Sequence, residues 1–395
     1  MSKFNHYDKL KTVFIGKMYD SELLLELVDD PKIDKDYLKY LGQVFDETNE
    51  DLDNIEKICL NNKVKVYRPD LNKVWNIKKF FKGHQDHFMG IPNMPVNPGA
   101  VRDWLFAVNN TLLICQTSLT LRCFEYMFWE EALLDLQNQG KQIYQMPLML
   151  TVKHTLDAWN EFQTEVCNKN DKGQYEFDYE KMFDLYNEDF PYWNKDNDHE
   201  TELIYLYNYS SIKNIPLFHT ASAFLFDDYI LSNQTGTPSG KRWFKKAVET
   251  AVPDINFIWH TSVGHIDGCS GIINKNIVGS TANIFSKNIP TMNKEILLTK
   301  SAESHDDFKT QFQPNAKSIQ TYMKNLKGYD QRVDFDYNWL CLEPNKIIAG
   351  IFNDEAKKTL EKNNVEIINS PLRHRWVIDG GIHCYTNDID RENFI

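Results

Sequence analysis

The chain has 395 residues, of which 42% are hydrophobic, 13% aromatic and 25% charged, with a formal net charge of −12. That composition can fill a sizeable globular core, and its acidic balance argues against phosphate backbones and anionic lipid surfaces as partners. Its seven cysteines are scattered, odd in number and without a Cys-x-x-Cys pair, which argues against a disulfide framework or a zinc site. No apolar run approaches the about 18 residues of a membrane span, and the opening segment carries no apolar leader, so the cytoplasm is the expected compartment.

In chain order, "KTVFIG" (Lys11–Gly16) and "KVKVYRP" (Lys63–Pro69) predict strands. "DWLFAVNNTLLIC" (Asp103–Cys115) splits two apolar runs with Asn-Asn and predicts a β-hairpin. "FEYMFWEEALLDLQNQG" (Phe124–Gly140) spaces its apolar residues three to four apart and predicts a helix stopping at Gly140. The stretch around 167–202 is rich in charge, Asn and aromatic residues. It predicts a surface insertion with a short helix near Tyr179–Tyr186, or else a lid over a site.

The hairpin signal returns in "SAFLFDDYILSN" (Ser222–Asn233), "SGIINKNIVGS" (Ser270–Ser280) and "NWLCLEPNKIIAGI" (Asn338–Ile351). Helical periods recur at Gly240–Val252 and Asn353–Asn364, and further apolar runs at Asp254–His260 and Val365–Pro371. Hairpin, helix, strand thus repeats about four or five times, which predicts radial repetition of one supersecondary unit.

Three stretches carry residues suited to chemistry. "DGGIHCYTND" (Asp379–Asp388) places Cys384 behind a Gly380-Gly381 turn that would let backbone approach a substrate. A nucleophile and a buried structural thiol both satisfy it. His383 precedes the cysteine, and in an extended segment it would face the other way. "WHTSVGHIDGCSG" (Trp259–Gly271) contains His265 and Asp267, which a strand would place on one face as proton shuttle and carboxylate. "GAVRDWLF" (Gly99–Phe106) puts Asp103 at the entrance of a hairpin strand, where a buried carboxylate would bind a cation.

Taken together, these elements resemble the amidinotransferase family, which includes glycine amidinotransferase and the inosamine-phosphate amidinotransferases. The order is Arg-Asp with a hairpin, Phe-Glu-Tyr (Phe124–Tyr126), His-x-Asp with a hairpin, and a C-terminal Gly-Gly-x-His-Cys. The resemblance implies the pentein fold, an α/β five-bladed propeller of ββαβ repeats, with residues 1–395 as a single domain. It implies Cys384 as nucleophile and His265 as general acid and base. Asp267 and Asp103 would bind the guanidinium, and Phe124–Tyr126 would be structural.

The sequence departs from the family pattern at three places. His219 in "FHTASAFLFDDYIL" stands where the family has an aspartate, Ser222 stands at a second acidic position, and Asp227 and Asp228 fall at the expected hairpin tip. "TANIFSK" (Thr281–Lys287) lacks the arginine used for the donor's carboxylate, and a serine pair is replaced around Gln331-Arg332.

The expected activity is transfer of an amidino group from arginine, or a similar guanidino donor, to a primary amine such as glycine. An amidino-cysteine would form and ornithine would leave. The alternatives are a hydrolase that discharges the same intermediate with water, and a binding protein that has lost catalysis at His219. No metal or organic cofactor is implied. The partners are small molecules, with no nucleic acid and no membrane, and a homodimer is compatible with the sequence.

Overall fold

The computed structural model describes residues 5–28, 30–81, 87–89, 91–92, 94–117, 122, 124–147, 167–169, 175–177, 216–233, 236–260, 265–268, 270–280, 285–289, 292, 294–297, 315–325, 336–351, 354–375 and 377–392. Among them, five three-stranded sheets repeat one pattern: an antiparallel pair, then a third strand parallel to one member of the pair.

Four of these sheets follow the chain. Leu105–Val108 pairs with Thr111–Ile114, which takes Gln142–Gln145 in parallel. Ala223–Phe226 pairs with Tyr229–Asn233, and Asn256–His260 joins in parallel. Ser270–Asn274, Ile277–Ser280 and Lys294–Leu297 form the next sheet. Leu340–Glu343, Lys346–Ala349 and Glu366–Asn369 form the fourth. All four hairpins read from the sequence are present. Their tips use Asn109, Asp227 and Asn345 at positive φ, a conformation that Asn and Asp tolerate better than most residues.

The fifth sheet is not local in sequence. Its antiparallel pair is Lys9–Ile15 with Thr386–Glu392, from opposite ends of the chain, and Lys65–Tyr67 lies parallel to the former. The connection to Lys65–Tyr67 runs through the 27-residue helix Lys35–Asn61. Asp34 caps this helix by accepting the Asp36 and Tyr37 N–H groups. It buries Leu38, Leu41, Phe45, Leu52, Ile55 and Cys59 along one stripe.

The helix expected over Phe124–Gly140 begins as a 3₁₀ turn, Glu125–Trp129, and becomes α-helical at Glu130–Asn138. Gly140 follows it at φ +94°, a left-handed position suited to glycine. Pro238–Ala251 is capped by Thr237, whose hydroxyl accepts the Gly240 N–H. Of the insertion expected around 167–202, Cys167–Lys169 and Tyr175–Phe177 are described, as a paired hairpin. The rest of it, the helix expected at Tyr179–Tyr186 and Gln331-Arg332 lie outside the described residues. No helix among the described residues is long and apolar enough to cross a membrane.

Strands covered on both faces are buried at every residue, as Leu105–Val108, Thr111–Ile114 and Ala223–Phe226 are. One charge cluster lies among these apolar residues. Asp388, on the closing strand, is 1% exposed and meets Arg102 on one oxygen and Arg391 on the other. His6 Nε2 lies 3.8 Å from Asp388. Burial holds His6 down to about 3; Asp388 opposes that shift, while Arg102 and Arg391 reinforce it.

Above its ordinary value of 6.5, His6 is neutral in both folded and unfolded chains and costs nothing. Between 6.5 and about 3 the unfolded chain takes up a proton that the folded chain refuses, so stability falls with pH across that window. The expected slope is about 1.4 kcal/mol per pH unit from this one group. His6→Gln, which cannot titrate, should flatten the acid limb of a urea-midpoint-against-pH curve. An unchanged limb would show that His6 does not govern it.

Candidate active site

The candidate residues sit at equivalent places in the repeat, in the irregular turns that lead into the inner strand of each sheet. Asp103 ends the 3₁₀ turn Val101–Asp103 before Leu105–Val108. His219 precedes the turn Thr220–Ser222 and the strand Ala223–Phe226. Asp267 lies in Ile266–Gly268, ahead of Ser270–Asn274. Asn338 comes just before Leu340–Glu343, and Cys384 just before Thr386–Glu392. A turn at this point frees a side chain from the in-out alternation of the strand and lets it project off the strand end.

The His265-Ile266-Asp267 segment is therefore not a strand, and its two polar side chains do not share a face. The Gly268 N–H closes the turn onto the His265 carbonyl at 3.1 Å. As a result His265 points to Asp103 and His219, and Asp267 points to Cys384 and His383. His265 Nδ1 lies 3.5 Å from Asp103 Oδ1, and Nε2 lies 3.0 Å from His219 Nδ1. Asp267 Oδ2 lies 3.0 Å from His383 Nδ1 and 3.6 Å from Cys384 Sγ. His383 thus faces the site, contrary to the extended-segment expectation, because Ile382–Tyr385 is a turn.

Cys384 is held on several sides. Asn338 accepts its backbone N–H at 3.0 Å and donates to Sγ at 3.2 Å and to the Asp267 carbonyl at 2.8 Å. The Arg102 N–H donates to the Cys384 carbonyl. The two glycines before it make room for this frame. A Cβ on Gly381 would lie 2.6 Å from Asn338 Cβ, and one on Gly380 would lie 2.7 Å from the Tyr385 ring. Close protein packing therefore requires glycine at both positions. Burial pushes the Cys384 thiol well above its ordinary range, Asp267 and Asp103 add to the rise, and the Gly381 backbone and Asn338 oppose it.

Arg122 and Glu125 form a second layer that the sequence reading did not single out for the site. Arg122 donates to Asp103 Oδ2, to both oxygens of Glu125 at 2.6 and 2.9 Å, and to the Ala100 carbonyl. Glu125 belongs to Phe124–Tyr126, so that motif's structural part is to hold the arginine that holds Asp103. Burial opposes the Asp103 charge, yet Arg122, with His265 and His219 behind it, keeps the carboxyl below its ordinary range. Burial drives His219 to about 3, helped by the neighbouring His265, so its imidazole is neutral across the physiological range.

Asp227 and Asp228 form the hairpin tip, where Tyr7 donates its hydroxyl to Asp227, and they take no part in this cluster. Residues 281–284 lie outside the described residues. Two carboxylate oxygens in the cluster, Asp103 Oδ1 and Asp267 Oδ1, are buried with no hydrogen-bond partner among the described residues.

Five sheets of this kind, each an antiparallel pair plus a parallel third strand, define the pentein fold class, and known structures of that class superpose on the chain. The inosamine-phosphate amidinotransferase of Streptomyces griseus aligns over 99% of this chain and 97% of its own, with TM-score 0.59 and 16% identity. An amidinotransferase of saxitoxin biosynthesis from Microseira wollei aligns over 99% and 97%, with TM-score 0.62 and 14% identity. A dimethylarginine dimethylaminohydrolase bound as an adduct with S-methyl-L-thiocitrulline aligns over 95% and 98%, with TM-score 0.51 and 9% identity. No family model matches the sequence, and no curated protein matches it.

Asn338→Ala should remove three bonds at once. It should destabilise the chain by about 1–3 kcal/mol, the scale of a buried polar group left unpaired. It should also slow alkylation of Cys384 at neutral pH several-fold, since the thiolate loses its donor. Iodoacetamide labelling followed by peptide mass analysis reads the rate. Wild-type labelling in the variant would exclude Asn338 from thiol activation.

Proposed function

We propose that the chain is an amidinotransferase that moves the amidino group of arginine, or a similar guanidino donor, to a primary amine acceptor such as glycine. The observation that carries this reading is the buried thiol of Cys384 beside two buried carboxylates, each with one unpaired oxygen. A buried carboxylate oxygen left without a donor is costly, and a planar cation with a fork of N–H donors would supply both. The amidinotransferase structures that share the fold favour a guanidino substrate over other cations.

In this reading the five sheets close as blades around one axis, within a single domain, and the inner strand ends converge on the site. Asp267 and Asp103 receive the guanidinium and place its central carbon over Cys384 Sγ. The cation's charge offsets the carboxylates that hold the thiol protonated, so donor binding helps the thiol give up its proton, which His265 takes, leaving the thiolate. Sulfur attacks the carbon to give a tetrahedral adduct. The C–N bond to the leaving amine breaks as that nitrogen takes a proton from His265, releasing ornithine when arginine is the donor. The amidino-cysteine remains. An acceptor amine gives a proton back to His265, attacks the same carbon and expels the thiolate, which gives ping-pong kinetics.

The dimethylaminohydrolase relative makes hydrolysis of the same intermediate the second reading. Incubation with arginine, with and without glycine or other amines, separates the outcomes. Amine-dependent ornithine release supports transfer. Ammonia or urea formed without an amine supports hydrolysis, and no turnover supports a binding protein. Cys384→Ala should abolish turnover with the fold intact; retention of more than a few per cent of activity would overturn Cys384 as nucleophile.

His219 occupies the position of a family carboxylate, and a neutral imidazole offers the cation neither charge nor a bidentate acceptor. In a Cys384→Ala background, His219→Asp should tighten arginine binding by about 1–3 kcal/mol, the scale of a charged hydrogen bond. Isothermal titration reads it. Unchanged affinity would place His219 outside the donor pocket.

A further inference from the structure

We propose that Asp103, His219 and His265 form a binding site for a divalent transition-metal ion of the Zn²⁺ class, and that the ion and the guanidino donor exclude one another. Binding of the ion does not rest on the transferase reading; only the competition does.

The three side chains each offer one ligand atom, and these atoms lie within 4.8 Å of one another. Ligands about 2.0–2.2 Å from one tetrahedral Zn²⁺ lie about 3.3–3.6 Å apart, so the widest separation in the cluster closes by up to about 1.5 Å when an ion binds. Two imidazoles and one carboxylate are a donor set suited to Zn²⁺, Co²⁺ or Fe²⁺, and a poor one for Mg²⁺ or Ca²⁺, which prefer all-oxygen shells.

Two further observations point to a cation here. Asp103 is 5% exposed, and its Oδ1 is buried without a hydrogen bond while Arg122 occupies Oδ2. Arg122 is itself matched by Glu125, which takes two of its N–H groups. The guanidinium therefore orients Asp103 as an outer partner. The contact between His219 Nδ1 and His265 Nε2, at 3.0 Å, holds one shared proton, which an entering ion displaces as the rings turn toward it. An aspartate at position 219 would also be a ligand, but the histidine supplies the second nitrogen that favours Zn²⁺ and Co²⁺ over harder ions. His265 is 22% exposed, so the cluster borders solvent on that side.

The consequence for catalysis is inhibition. An ion on Asp103 and His265 removes a carboxylate from the cation pocket and ties up the proton carrier.

The test uses the full-length chain carrying Cys384→Ala, which removes the nearby thiol as a competing ligand. Titration with Co²⁺ should give one equivalent with the visible absorption of a nitrogen-oxygen site, displaced by Zn²⁺ and weakened by added arginine. His219→Leu and His265→Gln should each weaken Co²⁺ binding by more than about a hundredfold, beyond the roughly 10–100-fold that loss of an outer partner costs. His219→Asp, which keeps a ligand, should bind more tightly than His219→Leu. Far-UV circular dichroism accompanies each variant, and His265→Gln, at the more exposed position, carries the test if His219→Leu does not fold. Absence of a one-equivalent site, or affinity unchanged in the folded variants, overturns the proposal. Binding that arginine does not weaken overturns the exclusion.

Discussion

The pairing of Lys9–Ile15 with Thr386–Glu392 is the constraint on which the site depends, because it joins the two ends of the chain and fixes Cys384 at the head of the closing strand. Backbone bonds alone would allow such a strand to slip, and a slip of one residue would turn its side chains over. Buried polar groups oppose that. Asp388 is matched to Arg102 and Arg391, Arg102 Nε donates to the Thr386 carbonyl, and Asn387 donates to the carbonyls of Val101 and Leu105. Arg391 reaches further, to the carbonyls of Asp8 and Cys341. Buried ion pairs are weak contributors to stability, but breaking one leaves an uncompensated charge. Their effect here is on register, and register sets where the thiol lies.

With the strands so fixed, each sheet presents the turn before its inner strand to one region, and chemistry is distributed over those turns. Asp103 comes from one sheet, His219 from a second, His265 and Asp267 from a third, Asn338 from a fourth and Cys384 from the closing strand. Such a site is assembled only by the complete fold. Its field then follows from its composition. Arg122 is matched by Asp103 and Glu125, while Asp267 lies on the thiol side, so burial, with Asp267 and Asp103 behind it, keeps the Cys384 thiol protonated.

The hairpins were legible because each has a short apolar run, an Asn, Asp or Asn-containing turn and a second apolar run, a pattern with few alternatives. Cys384, His265, Asp267 and Asp103 were legible as a constellation through the family resemblance, and the structure places them around one locus. The fifth sheet was hidden because its partners lie at opposite ends of the chain, and no local pattern reports such a pairing. Arg122, Asn338 and His383 were missed for a related reason. Each acts through a contact with a remote residue, and a lone Arg, Asn or His carries no periodic signal. The Arg122-x-x-Glu125 spacing was the one available clue, since residues three apart meet within a turn. His-Ile-Asp was misread as strand because alternation there is also satisfied by a tight turn, and the adjacent Gly268 was the hint that the chain bends.

His219 changes the balance of this site more than its geometry. A carboxylate there would add a negative charge beside Asp103 and would bond strongly to a protonated His265. The imidazole brings none. It holds His265 by a single ring contact and leaves Asp103 as the nearby carboxylate for that ring. The Asp103 carboxylate is therefore shared among Arg122, His265 and any bound cation, and its strength toward each falls as the others engage. Asp267 is free of that competition, with His383 and the Cys384 thiol as its neighbours. In the proposed transfer a guanidinium would therefore be drawn toward Asp267, on the thiol side, and away from the two imidazoles. That asymmetry would bring its electrophilic carbon toward sulfur, and would leave the region beside His219 and His265 as the less charged side, where an acceptor amine would approach the proposed proton carrier.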